Sequence, residues 1–452
     1  MRTNKYEIDM CNGSIMDKLL SFALPLMLSG ILQLLFNAVD IIVVGRFSGS
    51  HSLAAVGSTT ALINLFVNLF IGISLGTNVM AARFYAAQKE KEMSEAVHTS
   101  LTIALISGII MVFVGLFFAR PALQLMGTPD DVLDLAALYM HIYFLGMPFF
   151  MLYNFGAAVL RAVGDTKRPL IYLIISGTVN ALLNVFLIVV FHMSVDGVAI
   201  ATVVSQMISC ILILHCLYTT QSCYQFRFSR LGIRQKYLKP IFQIGIPAGL
   251  QSTVITFSNT LLQSSVNSFG SISMAGYTAA NNIFGFLYIA VNSISQTCMS
   301  FTSQNYGARK PKRMDRVLID CLILQIIIPL ILGSAVYIFS GSLLGIYTKD
   351  PDVIRAGIEI LTYTSTTYLF CGIMDLFPGA LRGMGHAAVP MILSVIGTVG
   401  VRIIWIFGFF PHHRTLSFLF ISYPASWCVT IVMQVICYFF VRKKVYQQNS
   451  SV

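Results

Sequence analysis

Two carboxyl groups in this chain stand where a carboxyl group is expensive to keep. Asp40 and Asp375 lie deep inside long apolar runs, whereas the other acids fall in polar segments or within about two turns of one. In such surroundings a carboxylate is costly to ionise, so it is protonated, paired or ion-bound. Its state then switches when a proton or a small cation arrives. That chemistry suits coupling to a cation gradient. No metal-ligand pair, nucleophile elbow or deep His–acid pair accompanies these carboxyls, so the reading is not an enzyme and calls for no cofactor beyond a coupling ion.

The elements that must position these groups are membrane helices. Of 452 residues 56% are hydrophobic and 10% charged, with mean hydropathy +0.78, against about 25% charged in soluble domains. Apolar runs long enough for a hydrocarbon core of about 30 Å recur twelve times, near 18–45, 54–82, 96–119, 132–159, 169–192, 197–219, 241–269, 275–303, 317–340, 353–381, 389–411 and 415–441. With the N-terminus placed in the cytoplasm, 23 of the 29 Lys and Arg residues fall on the cytoplasmic side and five on the other; the one that remains, Arg402, lies within the eleventh run. That bias puts both termini inside. It also assigns the net charge of +11 to topology and anionic lipid headgroups rather than to nucleic acid. Cys210, Cys216 and Cys223 are spaced about 9–10 Å apart along a helix, too far to share a metal or a disulfide.

Depth along these helices groups the polar residues. At ~1.5 Å per residue, Asp40 lies about 9 Å below the outer edge. Asn184 lies at a similar depth, and Thr202 about 8 Å from the outer end of its run. Asn180 stands one turn from Asn184 on the same face. Asp40, Asn180, Asn184 and Thr202 thus form one layer whose carboxylate, amide and hydroxyl oxygens suit Na+ or a proton-gated hydrogen-bond network. The alternative for the two asparagines is plain helix-to-helix bonding. Asn37, one turn before Asp40, and Asn154 are supporting polar positions. In the second half, Arg402 needs a partner or a wet cavity. Asp375 is the acid available to it, across an axial gap of about 11 Å; bonding to carbonyls at a helix end or to outer headgroups is the other reading. Pro25 and Pro247 each remove a helical N–H, giving a hinge or a fixed kink.

The chain is also written twice. An offset of 221 carries Ala54 to Ala275, Tyr85 to Tyr306, Lys89 to Lys310, Arg161 to Arg382, Gly164 to Gly385 and Pro169 to Pro390. The register slips by one at Pro25 and Pro247 and at Gly177-Thr178-Val179 and Gly397-Thr398-Val399. Six runs per copy preserve orientation, so the copies are parallel. The expected organisation is an N-terminal six-helix lobe over 1–219, a basic cytoplasmic linker over 220–240 and a C-terminal six-helix lobe over 241–452.

Five segments carry a resemblance: Phe22-Ala-Leu-Pro25, Val39-Asp40-Ile-Ile-Val-Val-Gly45, Leu160-Arg161-Ala-Val-Gly164-Asp165, Gln304-Asn-Tyr-Gly-Ala308 and Leu381-Arg382-Gly-Met-Gly385. In this order, on twelve duplicated runs, they resemble the multidrug and toxic compound extrusion (MATE) family, its bacterial DinF-like branch in particular. The resemblance implies an all-α polytopic membrane protein with two six-helix lobes in a V. It implies a monomeric antiporter of the plasma membrane that exports amphipathic, cationic compounds in exchange for H+ or Na+ by alternating access. It also implies a cation site at Asp40, Asn180 and Thr202. Asn184 departs, standing where the family often has Asp, which leaves the coupling ion open between H+ and Na+. A flippase for a lipid-linked sugar or polyisoprenoid is the alternative, weakened by the single deep cation, Arg402.

Overall fold

The computed structural model describes residues 5–450, which are helical with no strand among them. The first half comprises α1 (Met16–Phe47), α2 (Ser50–Ala86), α3 (Glu90–Leu125), α4 (Asp130–Leu145), α5 (Met147–Ala162), α6 (Lys167–Val189) and α7 (Val195–Thr219). A linker with one 3-10 turn at Phe228–Arg230 leads to the second. There follow α8 (Gln235–Asn267), α9 (Ser271–Gly307), α10 (Pro311–Ile338), α11 (Ser340–Gly345), α12 (Pro351–Ser365), α13 (Tyr368–Gly383), α14 (Ala388–Ser394), α15 (Val401–Ile404), α16 (Leu416–Phe420) and α17 (Ser422–Ser450).

Each apolar run of the sequence falls on a helix or on an interrupted series of helices. Among the described residues eight helical stretches are long and apolar enough to cross a membrane. They become nine when α4 and α5, bent by 48° at their junction, count as one span. The bend has a local cause: Pro148 sits in the first turn of α5, where a missing N–H is tolerated only if a new helix begins. The remaining runs lie on α8, α9 and the α12–α13 pair. Helix α9 is long enough, but its buried face holds Ser293, Ser295, Thr297, Ser300, Thr302, Ser303, Gln304 and Asn305. Several of these hydroxyls bond back to their own helix, as Ser293 does to the Ile289 carbonyl and Thr297 to that of Ser293. Polar groups turned inward lower the hydropathy of a helix without exposing anything polar to lipid.

Packing divides the helices into two compact units, and the division runs through α1 and α8. The first unit holds the segment ending at Asp9 together with Leu28–Gly249; the second holds Met10–Met27 and the chain from Leu250 onward. Both helices change unit two residues after a proline, Pro25 in α1 and Pro247 in α8. In the first unit α3 lies on α4 and α5, α2 on α5, and α6 on α7. In the second, α9 packs on α10, α12 and α13, around a core that includes Tyr277, Tyr368, Phe420 and Trp427. Phe22 of α1 sits edge-on to Phe301 of α9 at 5.7 Å.

The first stretch of α8 is held in its unit by backbone-to-backbone approach. Gly72 and Gly76 of α2 and Gly245 and Gly249 of α8 are spaced four apart in each helix, the pattern that lets membrane helices touch along their backbones. A Cβ on Gly72 would lie 2.3 Å from the Gly249 nitrogen, and one on Gly76 2.2 Å from the Ile241 carbonyl oxygen. Neither atom belongs to a flexible side chain, so any methyl group must push the helices apart.

Gly72→Ala is therefore expected to destabilise the protein by about 1–3 kcal/mol, the usual cost of overpacking. Its thermal midpoint in detergent should fall. Gly57, also in α2, has nothing within 4 Å of its would-be Cβ, and Gly57→Ala should leave the midpoint unchanged or raise it, since alanine is the better helix former. Equal shifts in the two variants would remove the close-packing argument.

Candidate cation site and family membership

Four of the residues placed in one layer from the sequence meet in the first unit. Asp40 comes from the part of α1 that follows Met27, Asn180 and Asn184 from successive turns of α6, and Thr202 from α7, which packs directly on α6. The Asn184 Nδ2 donates to Asp40 Oδ1 and to Asn180 Oδ1 at 3.3 Å. Asn180 Nδ2 donates to Thr202 Oγ1 at 3.5 Å, and Thr202 Oγ1 donates to the Val198 carbonyl at 2.9 Å. The result is one chain of hydrogen bonds across three helices, ending on a single carboxyl group. Asn180 and Asn184 are 5% and 0% exposed, so their amides see the protein and not the solvent.

One atom in this chain is unsatisfied. Asn184 Oδ1 is buried and has no hydrogen-bond partner among the described residues. A buried acceptor left unpaired costs about 1–3 kcal/mol, and such atoms in native structures call for an explanation. A cation beside Asp40 supplies one, because an amide oxygen and a carboxylate are suitable oxygen ligands for a hard ion.

The surroundings include residues that the sequence reading passed over. Tyr139 and Tyr143 of α4 stack on each other, ring centroids 6.0 Å apart, and both lie within electrostatic range of Asp40. Gln206, one turn beyond Thr202 on α7, has a buried Oε1 without a hydrogen-bond partner among the described residues. The signal for all three was present: Tyr139 and Tyr143, and Thr202 and Gln206, are pairs four residues apart and so share a helix face.

The other polar positions lie elsewhere. Asn37 is exposed on α1. Asn154 donates to the Phe150 carbonyl of its own helix at 2.8 Å, a local bond that does not reach Asp40. Asp375 of α13 accepts at its backbone carbonyl from Ser295 Oγ at 2.7 Å and feels the charge of Arg382 rather than of Arg402. The pairing of Asp375 with Arg402 does not form: no ion pair among the described residues involves either. Arg402, 3% exposed, turns instead to Asn259 and Ser258 of α8 and Ser426 of α17. Neutral oxygens within hydrogen-bond distance take the place of a counter-charge. Pro25 is buried in the second unit, and Pro247 is half-buried in the first.

The MatE family model matches residues 25–186 and 247–407. The chain belongs to the MatE family. The two matched blocks begin at Pro25 and Pro247 and so follow the internal repeat. Members of the MatE family are transporters and not enzymes, and this one is a multi-pass membrane protein. It is 29% identical over 434 residues to the "Probable multidrug resistance protein YoeA" of Bacillus subtilis (strain 168), covering 94% of this chain and 93% of that protein. It is 23% identical over 390 residues to the "Multidrug export protein MepA" of Staphylococcus aureus (strain MSSA476), covering 86% of each. Among solved structures, one described as the outward-facing conformation of a multidrug resistance MATE family transporter of the MOP superfamily superposes with a TM-score of 0.90, at 20% identity over the whole of both chains. A MATE crystallised in complex with MaL6 gives the same TM-score, identity and coverage. The MatE fold thus extends over the entire chain.

Replacing Asn184 by Leu should leave Asp40 Oδ1 and Asn180 Oδ1 without their common donor and cost about 1–2 kcal/mol. This is read as a drop of a few degrees in the thermal midpoint of the purified protein. Asn37→Leu, on the exposed face of the same helix as Asp40, should not move it.

Proposed function

We propose that this MatE transporter is a secondary active antiporter of the plasma membrane, exporting amphipathic cationic compounds in exchange for H+ or Na+. The observation that carries the reading is the single carboxyl group of Asp40 joined to Asn184, Asn180 and Thr202, with one buried amide oxygen left over. The printed names of the relatives, a multidrug resistance protein and a multidrug export protein, support the substrate class. The cytoplasmic excess of Lys and Arg supports termini on the inner side.

The mechanism follows from that leftover oxygen. While Asp40 is ionised, the Asn184 amide turns its N–H toward the carboxylate. When a proton binds, the Asp40 carboxyl becomes a donor, and the Asn184 Oδ1 is the acceptor that answers it. When Na+ binds, the same Oδ1 turns to the ion beside the carboxylate, with Asn180 and Thr202 completing an oxygen shell. Either cation therefore reorients one amide and changes how α1 is tied to α6. That change drives transport only if the cation binds one conformation better than the other. Pro25 and Pro247 supply the give: each interrupts the hydrogen-bond ladder within two residues of the point where its helix passes from one unit to the other.

Asp40→Asn keeps the shape and loses the charge. It should reduce gradient-driven efflux of a cationic dye from proteoliposomes at least tenfold while leaving the melting profile intact; efflux at the wild-type rate would reject the role of Asp40. In separate vesicles, an imposed Na+ gradient and an imposed pH gradient identify the coupling ion, and Asn184→Asp should shift the preference toward Na+ by adding a second carboxylate.

A further inference from the structure

Arg402 poses a problem that the cation site does not address. It lies about 21 Å from one end of the helical stretch Ala388–His412 and about 15 Å from the other, so it is near mid-span. It is 3% exposed and forms no ion pair among the described residues. Its neighbours are neutral. Nη1 donates to Asn259 Oδ1 at 2.8 Å and to Ser258 Oγ at 3.4 Å, and Nε donates to Ser426 Oγ at 3.4 Å. The guanidinium lies 4.3 Å from the centre of the Tyr423 ring. Nη2 makes none of these bonds. A guanidinium with dipoles on one edge and nothing on the other is a cation awaiting an anion.

The backbone has been altered to put it there. Val395–Gly400 and Trp405–Phe409, on either side of α15, are π-helical, whereas the matching helix of the first half, α6, is uninterrupted. With Gly177-Thr178-Val179 answering Gly397-Thr398-Val399, the counterpart of Arg402 is Leu182. Leu182 is 67% exposed. Arg402 thus faces inward where its counterpart faces outward, directly after a π turn, which winds the chain less tightly than an α-helix. Single π turns inside helices are frequent at functional sites.

Next to the guanidinium stands an aromatic wall. Tyr423 contacts Trp427 at 5.4 Å and Phe420 at 5.8 Å, and Trp427 contacts Tyr368 at 5.8 Å. Asn259, which holds Nη1, is itself exposed, so the buried guanidinium lies one side chain away from accessible surface.

We infer that Arg402, with Asn259 and Tyr423, forms a carboxylate-binding subsite in the second unit, which admits zwitterionic or anionic aromatic compounds bearing a carboxylate. The inference rests on the reading of the protein as an exporter of organic compounds and extends its substrates beyond cations. The carboxylate accepts from the unused Nη2 edge, and the ring system of the same molecule lies along Tyr423.

The test uses the full-length protein and two rhodamine dyes that differ only in a free carboxylate against its methyl ester, with binding followed by fluorescence anisotropy. The wild type should bind both. Arg402→Gln should weaken the acid at least tenfold and the ester less than twofold. Arg402→Lys keeps the charge but not the planar fork, and should give an intermediate loss for the acid alone; it also serves if the Gln variant does not fold. Equal weakening of acid and ester would mean that Arg402 only holds α8, α15 and α17 together, and would overturn the inference. So would unchanged acid binding, or a wild type that takes the ester and refuses the acid. A wild type that binds neither dye would count against the exporter reading as well.

Discussion

Inside apolar surroundings a polar group has no solvent to fall back on, and its partner must come from the same chain. Nearly every local feature of this protein answers that constraint. The serines and threonines on the buried face of α9 bond back to their own helix. Asp40 reaches across to α6, and α6 to α7, until its carboxyl group is tied into three helices. Arg402 draws on α8 and α17. Asn184 Oδ1 is one of the buried atoms at which the constraint is not met, and beside a carboxyl group such a shortfall marks a place where a ligand has something to gain.

The duplicated sequence has produced two units that share a plan and differ in charge. The first places a carboxyl group in the outer half of its first helix. The second, through a change in helical winding, places a guanidinium in the helix corresponding to α6. The close-packed glycines show the same divergence. Gly72 and Gly76 let α8 lie directly on α2, while their counterparts one repeat on are Ser293 and Thr297, which bond to their own helix instead. One ancestral framework thus supports opposite electrostatics, with an oxygen-rich layer in the first unit and a buried guanidinium beside an aromatic cluster in the second.

Much of this was legible in the residues alone. Apolar length located the helices. The depth count brought Asp40, Asn180, Asn184 and Thr202 to one level because straight helices of fixed rise make depth a linear function of residue number. That same assumption fails where winding changes. No count of residues reveals the π turns around Arg402, so its partners on α8 and α17 were out of reach, and Asp375 stood as its nearest apparent neighbour. The bend at α4 and α5 was readable from Pro148 but was absorbed into one long run. Tyr139 and Tyr143 carried a face-sharing spacing, yet phenols in a membrane helix are as often part of the packing as of a site. The boundary between the two units was foreseen in the linker, since composition changes there; packing, which composition does not record, places it at the two prolines.

The passage of α1 and α8 from one unit to the other has a consequence for synthesis. Met10–Met27 leaves the ribosome some 220 residues before the rest of its unit begins at Leu250. Translation therefore completes the first unit, through Gly249, while an early helical segment still awaits the neighbours it was made for. A nascent chain in this state presents Phe22 and its flanking apolar residues to the bilayer or to the insertion machinery until Phe301 is made. The slow step in maturing this protein is accordingly expected at the docking of its oldest segment.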